Sequence, residues 1–557
     1  MRLCLFSMLL SASLSAQPAQ DSAADAASRT ARLEGQVLSQ TGEPLRKATL
    51  RLAPYYADRS SNAVSYTDTT DGTGKFVFEG VLPGRYTLSA ERTGFLAQNY
   101  GARGATNSSP GSVLALAAGE SMKDLDFKLI PQGVVTGRLT DADGDPVPGI
   151  QVFAMQTVHA RGQRGLAPAG HAQTDDQGNF RIANLSPGPY YVSADDTQSR
   201  LHAQDNNVRP GRVLDRTSNV TTYYPDSLDA AGATALQIVA GSELRGIDIR
   251  MRRERVFSIR GLMIDAATGK PVRTDVSAHL KGSSRSSFDP AWQTSSREDG
   301  TFELRNLLPG EYVLMASTSN RGERAYGRDE VSIADSDITG VKLTLEQGVT
   351  VTGTVKLEGD GPPVRLSIFL SDMGGAYGHA SSTVARNDGT FEFRGIALGK
   401  YAVGMEMLPD GAYIKSVRFG GQDVTHTMLD FTSGVNGSLE ILLSPHAAGV
   451  SGTVKNKDGA AMTGVEVTLW PKQGQSKSVY RGSTDQNGDF RIAGLAPGDY
   501  YINAWEDLDV YLSFDLDFLQ RFTSPDTTIT LEEGAHQTVQ PKLISREEAA
   551  AEAAKLP

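Results

Sequence analysis

The sequence predicts an all-β protein, a tandem array of about five Greek-key β-sandwich domains. The first observation behind this prediction is a motif that occurs five times, for example as TDQNGDFRIAGLAPGDYYI at residues 484–502. The second is its internal spacing, because a phenylalanine is followed ten residues later by a tyrosine in every copy. The third is the alternation of apolar and polar residues around both aromatics, which indicates half-buried strands. The copies recur about every 100 residues, which indicates one whole domain per copy.

Each copy reads as strand, turn, strand, turn, strand. A glycine-containing first strand lies about 40 residues before the phenylalanine. An Asp-rich turn, with glycine two positions before the phenylalanine, predicts a hairpin into the second strand. Pro-Gly, replaced by Leu398-Gly399 in the fourth copy, predicts the turn into the third strand. We expect both aromatics to enter one core. The positions are Gly35, Phe76 and Tyr86; Gly137, Phe180 and Tyr190; Gly261, Phe302 and Tyr312; Gly353, Phe391 and Tyr401; and Gly452, Phe490 and Tyr500.

These motifs resemble the carboxypeptidase regulatory-like domain family. In the second copy the pattern is Gly137, then DGDPVPGIQV from Asp143, then TDDQGNF and LSPGPYYV. The resemblance covers roughly residues 31–543. It implies transthyretin-like (prealbumin-like) seven-stranded sandwiches, a fold grouped with carbohydrate-binding-like folds, in a secreted bacterial protein. The third and fourth copies lack the Thr-Asp pair of the motif but keep its Gly, Phe and Tyr.

The motif positions set the predicted domain boundaries. The sandwiches are expected at 31–131, 132–253, 254–347, 348–446 and 447–543. A signal peptide at 1–16 and a disordered linker at 17–30 precede them, and a tail at 544–557 follows as an isolated, marginal helix. The second domain is expected to carry a long exposed loop from Asp195 to about Asn219. The linkers are short, so neighbouring domains should lie close together.

The N-terminal residues predict export. Arg2 is followed by an apolar stretch and then by small residues up to Ala16, as in a secretory signal, although a buried first helix would also fit. The single cysteine, Cys4, lies inside this segment, so the mature chain has no disulfide. No later stretch approaches the roughly 18 apolar residues of a membrane span. A net charge of −11 without a basic run argues against nucleic acid. We expect a periplasmic, cell-surface or extracellular protein.

The sequence lacks the common catalytic motifs and predicts no enzyme and no cofactor. A zinc carboxypeptidase needs a histidine followed three residues later by a glutamate, plus a distant histidine, and none of the eight histidines has a glutamate or a histidine at the third or fourth following position. There is no G-x-S-x-G elbow, and GTGKF at Gly72 lacks the Ser or Thr of a phosphate loop. A glycosidase carboxylate pair leaves no local motif, so an enzyme stays a remote alternative.

The sequence disfavours both calcium binding and an isopeptide cross-link. The acidic turns at Asp141 (DADGD) and Asp485 (DQNGD) resemble calcium loops, but the twelfth positions are Val152 and Ala496 instead of glutamate. We expect these side chains to accept turn amides, and we predict no metal site. A Lys455–Asn503 isopeptide cross-link is disfavoured because the other copies have no matching pair.

The candidate binding residues are aromatic. Trp470, Tyr501 and Trp505 lie in the last copy, and Tyr223 and Tyr224 in the second. Their rings could stack on sugars, although alternation along strands also fits core packing. The predicted function is non-catalytic binding of polysaccharide at the cell surface or in the periplasm. The alternatives are a structural scaffold or adhesion spacer that binds a cell-envelope protein, for instance by strand addition, and remotely an accessory module of a secreted hydrolase system. Burial of the last copy's aromatics would favour the scaffold.

Overall fold

The structure is a computed structural model, which describes residues 30–55, 64–103, 111–160, 163–196, 217–281, 292–320, 323–359, 366–372, 380–406, 408–472 and 479–556. The predicted signal peptide and nearly all of the predicted linker lie outside these residues. In the described part of the chain, strands dominate and the helices all follow residue 511. No helix among the described residues is long and apolar enough to span a membrane.

Unit 1 is a sandwich of two sheets. One sheet has the order β4-β1-β8, with β9 also on β1, and the other has the order β3-β2-β5-β6, with β7 also on β5. The apolar side chains of both sheets meet in one core. The strands are β1 (Ala31–Ser39), β2 (Thr49–Pro54), β3 (Tyr66–Thr69), β4 (Lys75–Val81), β5 (Gly84–Glu91), β6 (Gln98–Asn99), β7 (Val113–Leu116), β8 (Ser121–Met122) and β9 (Phe127–Leu129).

Unit 2 repeats this arrangement. Its strands are β10 (Gly133–Thr140), β11 (Gln151–Ala160), β12 (Gln163–Gln173), β13 (Asn179–Leu185), β14 (Gly188–Asp195), β15 (Thr217–Asn219), β16 (Thr222–Tyr223), β17 (Leu236–Ile238), β18 (Glu243–Leu244) and β19 (Ile249–Arg250). The sheets are β13-β10-β18 with β19 on β10, and β12-β11-β14-β16 with β17 on β14. Of the loop predicted from Asp195 to Asn219, residues 197–216 lie outside the described residues.

Unit 3 joins its strands into one sheet of order β23-β22-β25-β26-β27-β21-β24, because β26 pairs with both β25 and β27. A short strand, β20 (Arg253–Arg255), leads into it and pairs with β15 of unit 2. The other strands are β21 (Phe257–Asp265), β22 (Asp275–Leu280), β23 (Trp292–Ser295), β24 (Thr301–Leu307), β25 (Gly310–Asn320), β26 (Glu323–Ile333) and β27 (Ile338–Gln347).

Units 4 and 5 return to two sheets each. Unit 4 has β31-β28-β36-β33-β34 and β30-β29-β32-β35, and unit 5 has β40-β37-β43 and β39-β38-β41-β42 with β44 on β41. The strands of unit 4 are β28 (Val349–Leu357), β29 (Ser367–Asp372), β30 (Ala380–Val384), β31 (Thr390–Ile396), β32 (Lys400–Glu406), β33 (Tyr413–Phe419), β34 (Gln422–Asp423), β35 (Leu429–Asp430) and β36 (Leu439–Ser444). Those of unit 5 are β37 (Ala448–Thr453), β38 (Glu466–Pro471), β39 (Tyr480–Ser483), β40 (Asp489–Leu495), β41 (Gly498–Trp505), β42 (Thr528–Leu531), β43 (His536–Thr538) and β44 (Lys542–Ile544). The predicted fold class is confirmed.

The glycine of each first strand lies directly opposite the motif phenylalanine and leaves room both for its ring and for a neighbouring backbone carbonyl. Gly35 pairs directly with Phe76, and Gly452 with Phe490, in antiparallel register. A methyl group on Gly35 would lie 2.9 Å from the Phe76 ring, and one on Gly452 would lie 3.0 Å from the Phe490 ring. The same pairing holds in the other three units. The ring therefore covers the bare glycine backbone, which explains why both positions recur together.

The residue four positions after each phenylalanine has a left-handed backbone. Its φ is +70° at Gly80, +61° at Asn184, +59° at Asn306, +61° at Gly395 and +76° at Gly494. Glycine and asparagine are the residues that adopt this conformation at least cost. This local requirement explains why the motif alternates between these two residue types.

Each motif tyrosine closes the turn that precedes it. The hydroxyls of Tyr86, Tyr312, Tyr401 and Tyr500 donate to the carbonyl oxygen four residues earlier at 2.8–2.9 Å. In unit 2, the Tyr190 hydroxyl instead contacts the Ser186 hydroxyl at 3.0 Å. The predicted packing of both motif aromatics in one core is confirmed, since each pair belongs to the same buried cluster.

The motif threonine is a buried clamp. The Thr484 hydroxyl donates to the carbonyl of Met462 at 2.7 Å and accepts from the N–H of Val465 at 2.9 Å. Thr70 and Thr174 make the equivalent pair of bonds in units 1 and 2. In unit 3 a serine, Ser296, takes this place. Unit 4 has Ala385 at this position, which has no hydroxyl. The third and fourth copies, which lack the Thr-Asp pair of the motif, therefore differ from the others in this pair of hydrogen bonds.

Consecutive units touch at their junctions. Gln132 donates its N–H to a carbonyl of unit 1 at 3.1 Å, and β15 pairs with β20 between units 2 and 3. The Tyr326 hydroxyl of unit 3 donates to the carbonyl of Gly395 in unit 4 at 2.8 Å. Glu533 of unit 5 accepts from the Ser444 hydroxyl of unit 4 at 2.7 Å. Neighbouring domains therefore lie close together, as the short linkers predicted.

Unit 5 has a second core on the outer face of its larger sheet. It is covered by three 3₁₀ turns, by the short helix α1 (Leu516–Leu519) and by the C-terminal helix α2 (Arg546–Ala553). The 3₁₀ turns are Leu512–Phe514, Gln520–Phe522 and Pro525–Thr527. The prediction that the tail forms an isolated helix is wrong, because α2 buries Ala549 in this core and Glu552 pairs with Arg521 at 3.6 Å. A capping box between Ser545 and Glu548 begins the helix.

Candidate functional site

The two tryptophans proposed for sugar stacking lie in the interior. Trp470 and Trp505 are each 1% exposed and belong to the second core of unit 5. Trp505 packs against Phe518 and Phe522, with ring centroids 5.8 and 4.9 Å apart, and its indole N–H donates to Thr468 at 2.7 Å. The residues that bury them come from the helical segment after β41. Neither ring offers an open face to a ligand in this arrangement.

The three proposed tyrosines are half-buried and lie in two different units. Tyr501 is tilted against Trp470 at 5.8 Å between centroids, and the Lys472 ammonium lies 5.4 Å from its ring. Tyr223 ends β16, where it pairs with Ser193, and Tyr224 packs against the core of unit 2. Both members of this adjacent pair are half-buried, so neither is fully in the core and neither is fully exposed.

The acidic turns bind their own backbone. Asp141 accepts from the N–H groups of Asp143 and Asp145, both at 2.9 Å. Asp485 accepts from the N–H groups of Asn487 and Asp489 at 2.8 and 2.9 Å. The same bonds recur at Asp71 and Asp175, where backbone and side-chain hydrogen bonds lower the pKa of the carboxyl. These turns are the amide-capped turns that the sequence analysis expected.

No group of three or more His, Cys, Asp or Glu side chains able to hold a metal occurs within the described ranges. Two of the eight histidines, His202 and His379, lie outside these ranges. The pair considered for an isopeptide bond is split by burial, because Asn503 is fully buried beneath the helical segment while Lys455 is exposed.

An exposed aromatic pair lies where sequence reasoning did not place a site. Tyr511 is 44% exposed and Phe514 is 57% exposed, and no other aromatic side chain in the described part of the chain is exposed. Tyr511 comes directly before the Leu512–Phe514 turn and Phe514 ends it, so the two residues are three positions apart and share one face of the turn. The guanidinium of Arg481 lies 4.7 Å from the Phe514 ring centroid. We call these three residues the aromatic–arginine patch. The sequence signal was the alternation of acids and aromatics after Glu506.

Buried electrostatics hold the patch in place. Arg481 forms an ion pair with Glu466, whose buried side chain also hydrogen-bonds to Ser513 of the Leu512–Phe514 turn. Burial raises the pKa of Glu466, although the Arg481 guanidinium opposes that rise. Breaking a buried pair leaves an uncompensated charge, so Arg481 is fixed against Phe514. Around the patch, Asp509 and Asp517 add negative charge at the surface.

A long hairpin of unit 2 approaches this region. β11 pairs with β12 along its whole length but with β14 only from Gln151 to Met155, so the rest of the hairpin extends beyond the sheet. The Cα atoms of β11 come within 8 Å of the Leu512–Phe514 turn. The aromatic–arginine patch therefore lies beside a junction between units 2 and 5.

Comparison with known proteins adds the following. A family model of the carboxypeptidase regulatory-like domain matches residues 32–129, 134–221 and 449–542, which is half of the chain. Colossin-A of Dictyostelium discoideum is 22% identical over 502 residues, an alignment that spans 79% of this chain but 4% of Colossin-A.

Solved structures that resemble this chain include pilins. The minor pilin GBS52 of Streptococcus agalactiae is 14% identical, with 40% of this chain and 97% of that chain covered at a TM-score of 0.22. The major pilin subunit BcpA of Bacillus cereus is 11% identical, with 57% and 99% covered at a TM-score of 0.13.

The three matched stretches correspond to units 1, 2 and 5 and include the motif glycine, phenylalanine and tyrosine of each of these units. The chain therefore belongs to the carboxypeptidase regulatory-like domain family.

Proposed function

We propose that this chain is an exported, non-catalytic scaffold that binds a protein partner in the cell envelope. The observation that carries the proposal is the aromatic–arginine patch. Tyrosine and arginine are the residue types that dominate the binding energy of protein interfaces, and a large exposed phenylalanine beside them adds apolar area. The buried Glu466–Arg481 pair holds the patch rigid, which lowers the entropy cost of binding.

The charge around the patch indicates the chemistry of the partner. Residues 506–517 contain five acidic residues and no basic ones. Glu506 and Asp507 pair with Arg103 and Arg546, and Asp515 is buried, which leaves Asp509 and Asp517 as the surface charges. Asp509 and Asp517 lie near the patch, and Asp517 is exposed. A partner with a basic rim around an apolar centre fits this surface, and its association rate should fall as salt screens the rim charges.

A protein ligand is favoured over polysaccharide for a geometric reason. Sugar rings need an open aromatic face, whereas Trp470 and Trp505 are interior and one face of Phe514 is covered by Arg481. Carbohydrate binding remains the second candidate, at the half-buried Tyr501, Tyr223 and Tyr224. The acidic turns support a non-catalytic role, because Asp141 and Asp485 accept hydrogen bonds from backbone N–H groups of their own turns.

Site-specific photo-crosslinking of the full chain in its own host cells tests the partner class. A photoreactive amino acid replaces Phe514 in one variant and Val239, which is 60% exposed in unit 2, in a matched control. The proposal expects a discrete protein adduct at position 514, absent at 239 and weakened by Tyr511→Ala. Equal adducts at both positions, or none at 514, would contradict it.

Affinity electrophoresis separates the second candidate from the first. The full chain should migrate alike in gels with and without soluble polysaccharides. Retardation that Tyr501→Ala or Tyr224→Ala abolishes would replace the protein-binding proposal with carbohydrate binding. Export is tested separately, since the mature protein from the periplasm or medium should begin at Gln17, while an intact N-terminus in the cytoplasm would exclude export.

A further inference from the structure

We infer that the chain closes into a ring in solution, latched by contact between unit 1 and unit 5. The inference stands independently of the proposed function, because none of its contacts involves Tyr511, Phe514 or Arg481. The latch consists of Arg103 and residues 111–115 in unit 1, and of residues 462–464 and 483–486 with Glu506 and Arg546 in unit 5. An extended spacer, expected from the sequence as one alternative, has no such contact.

The first part of the latch completes an edge strand. β7 pairs with β5 on one side, and its other side faces unit 5. Val113 forms a parallel bridge to Asp485. The side-chain amide of Gln486 accepts from the N–H of Ala115 at 3.2 Å and donates to the carbonyl of Ala115 at 3.1 Å. Gln486 thus satisfies both backbone groups of Ala115, as a peptide unit of a neighbouring strand would.

The second part of the latch is centred on Arg103. Its Nε donates to the carbonyl of Thr463 at 3.2 Å, and Nη1 lies 3.9 Å from the Glu506 carboxylate. Its own carbonyl accepts from the Arg546 guanidinium at 2.8 Å. One arginine therefore contacts three separate elements of unit 5: the turn before β38, the end of β41 and the start of α2.

The third part is direct approach of the two backbones. A methyl group on Gly464 would lie 2.8 Å from the carbonyl carbon of Gly101. The backbones of units 1 and 5 therefore touch at two glycines, where neither segment has a side chain. Nearby, the hydroxyl of Ser483 donates to the carbonyl of Gly111 and is 5% exposed as a residue. Such shape complementarity is a property of a formed interface and not of two surfaces that merely pass each other.

The path around the molecule is closed by the junctions between consecutive units. Unit 1 touches 2, 2 touches 3, 3 touches 4 and 4 touches 5 through the contacts described above, and the latch joins 5 to 1. The long hairpin of unit 2 also approaches unit 5. Most latch contacts are polar, as in interfaces that open. Opening would uncover the backbone N–H and carbonyl groups along this edge of β7, where an extended peptide can add as a strand.

Small-angle X-ray scattering of the full chain distinguishes the ring from a line. A 100-residue domain has a radius of gyration of about 13 Å. Five touching spheres of that size give a radius of gyration of about 32 Å in a ring and about 50 Å in a line. If the latch closes the ring, the radius of gyration should be near the ring value and the mass should be that of one chain. A value near the second would overturn it, as would a mass of two chains that falls with dilution to open monomers.

Variants assign the closure to the latch. Arg103→Glu combined with Gln486→Ala should raise the radius of gyration by about 1.5-fold if the ring opens fully. The matched control is Arg51→Glu with Gln177→Ala, which makes the same charge change at exposed positions of units 1 and 2 and should leave the value unchanged. A double variant that stays as compact as the control would remove the latch from these contacts.

Fluorescence energy transfer gives a second readout that does not depend on overall shape. With Cys4→Ser, cysteines introduced at the exposed Ala117 and Asn487 carry a donor and an acceptor on either side of the latch. Transfer should be high in the otherwise unchanged chain and lost in the latch variant. High transfer between singly labelled chains after mixing would show that the contact forms between molecules, and would overturn closure within one chain.

Discussion

Replacing Gly452 by alanine should unfold unit 5 at a much lower urea concentration. The new methyl group would lie 3.0 Å from the ring of Phe490 and 2.9 Å from the carbonyl carbon of Val539, with the carbonyl oxygen closer still. The backbone at Gly452 is not in the left-handed region, so alanine adopts its conformation without strain. The cost arises from lack of space alone.

The magnitude follows from which neighbour can move. The Phe490 ring can tilt, but the carbonyl of Val539 is fixed because the Val539 N–H donates to the carbonyl of Ser451 at 2.8 Å. Inserting a methyl group into a packed site costs about 1–3 kcal/mol. Weakening that hydrogen bond adds about 1 kcal/mol. We therefore expect a loss of about 3 kcal/mol in the free energy of unfolding of unit 5.

Tryptophan fluorescence measures this loss in the full chain, because Trp470 and Trp505 both lie in unit 5. At a urea m-value of about 1–3 kcal/mol/M, the unit 5 transition should move down by about 1–3 M. The matched control is Ser451→Ala, the neighbouring residue on the same strand, whose half-exposed side chain should change stability by less than about 0.5 kcal/mol.

Two results would refute this reasoning. If Gly452→Ala and Ser451→Ala unfold within about 0.3 M of each other, the backbone yields and the glycine is not required for space. If adding Phe490→Leu restores the midpoint of Gly452→Ala, the clash lies with the ring and not with the Val539 carbonyl.

Three further predictions concern the motif. Tyr500→Phe removes the hydroxyl that closes its turn and should lower the unit 5 urea midpoint by an amount equivalent to about 1 kcal/mol, while Tyr511→Phe, at an exposed ring, should not. Thr484→Val leaves a buried N–H and a buried carbonyl unpaired and should cost about 2–3 kcal/mol by the same assay, and a smaller loss than Tyr500→Phe would contradict the clamp. Burial raises the pKa of Tyr312 above its ordinary value of 10; because the folded pKa exceeds the unfolded one, stability should hold below about pH 10 and fall above it, which urea midpoints between about pH 8 and pH 11 measure, and flat midpoints would contradict it.

Much of the fold is predictable because its requirements are local in sequence. A glycine opposite a phenylalanine, a left-handed residue four positions on and a tyrosine that closes its own turn are separated by few residues or by a fixed strand pairing. The Asp-rich turns are similar, since Asp485 binds amides only two and four residues away. Such features leave the same pattern in every copy, so five copies reveal them without a structure.

The candidate site is different, because it depends on which outer surfaces are covered. Trp470 and Trp505 alternate along strands as solvent-facing aromatics would, and only the packing of α1 and α2 over that sheet buries them. The tail helix has weak amphipathic character by sequence and is held by tertiary contacts. Tyr511 and Phe514 are exposed for the converse reason, since they lie on the outer side of a turn whose Leu512 packs into the second core.

The strands, the turns and the array of sandwiches can be predicted from the amino-acid order, because side-chain periodicity and short-range steric and hydrogen-bonding rules set them. How the sandwiches meet can be seen only in the folded chain. Gln486 and Arg103 are ordinary polar residues in the sequence, and their partners lie about 360 or more residues away. Contacts at that separation depend on the summed orientations of five domains, which no local pattern encodes.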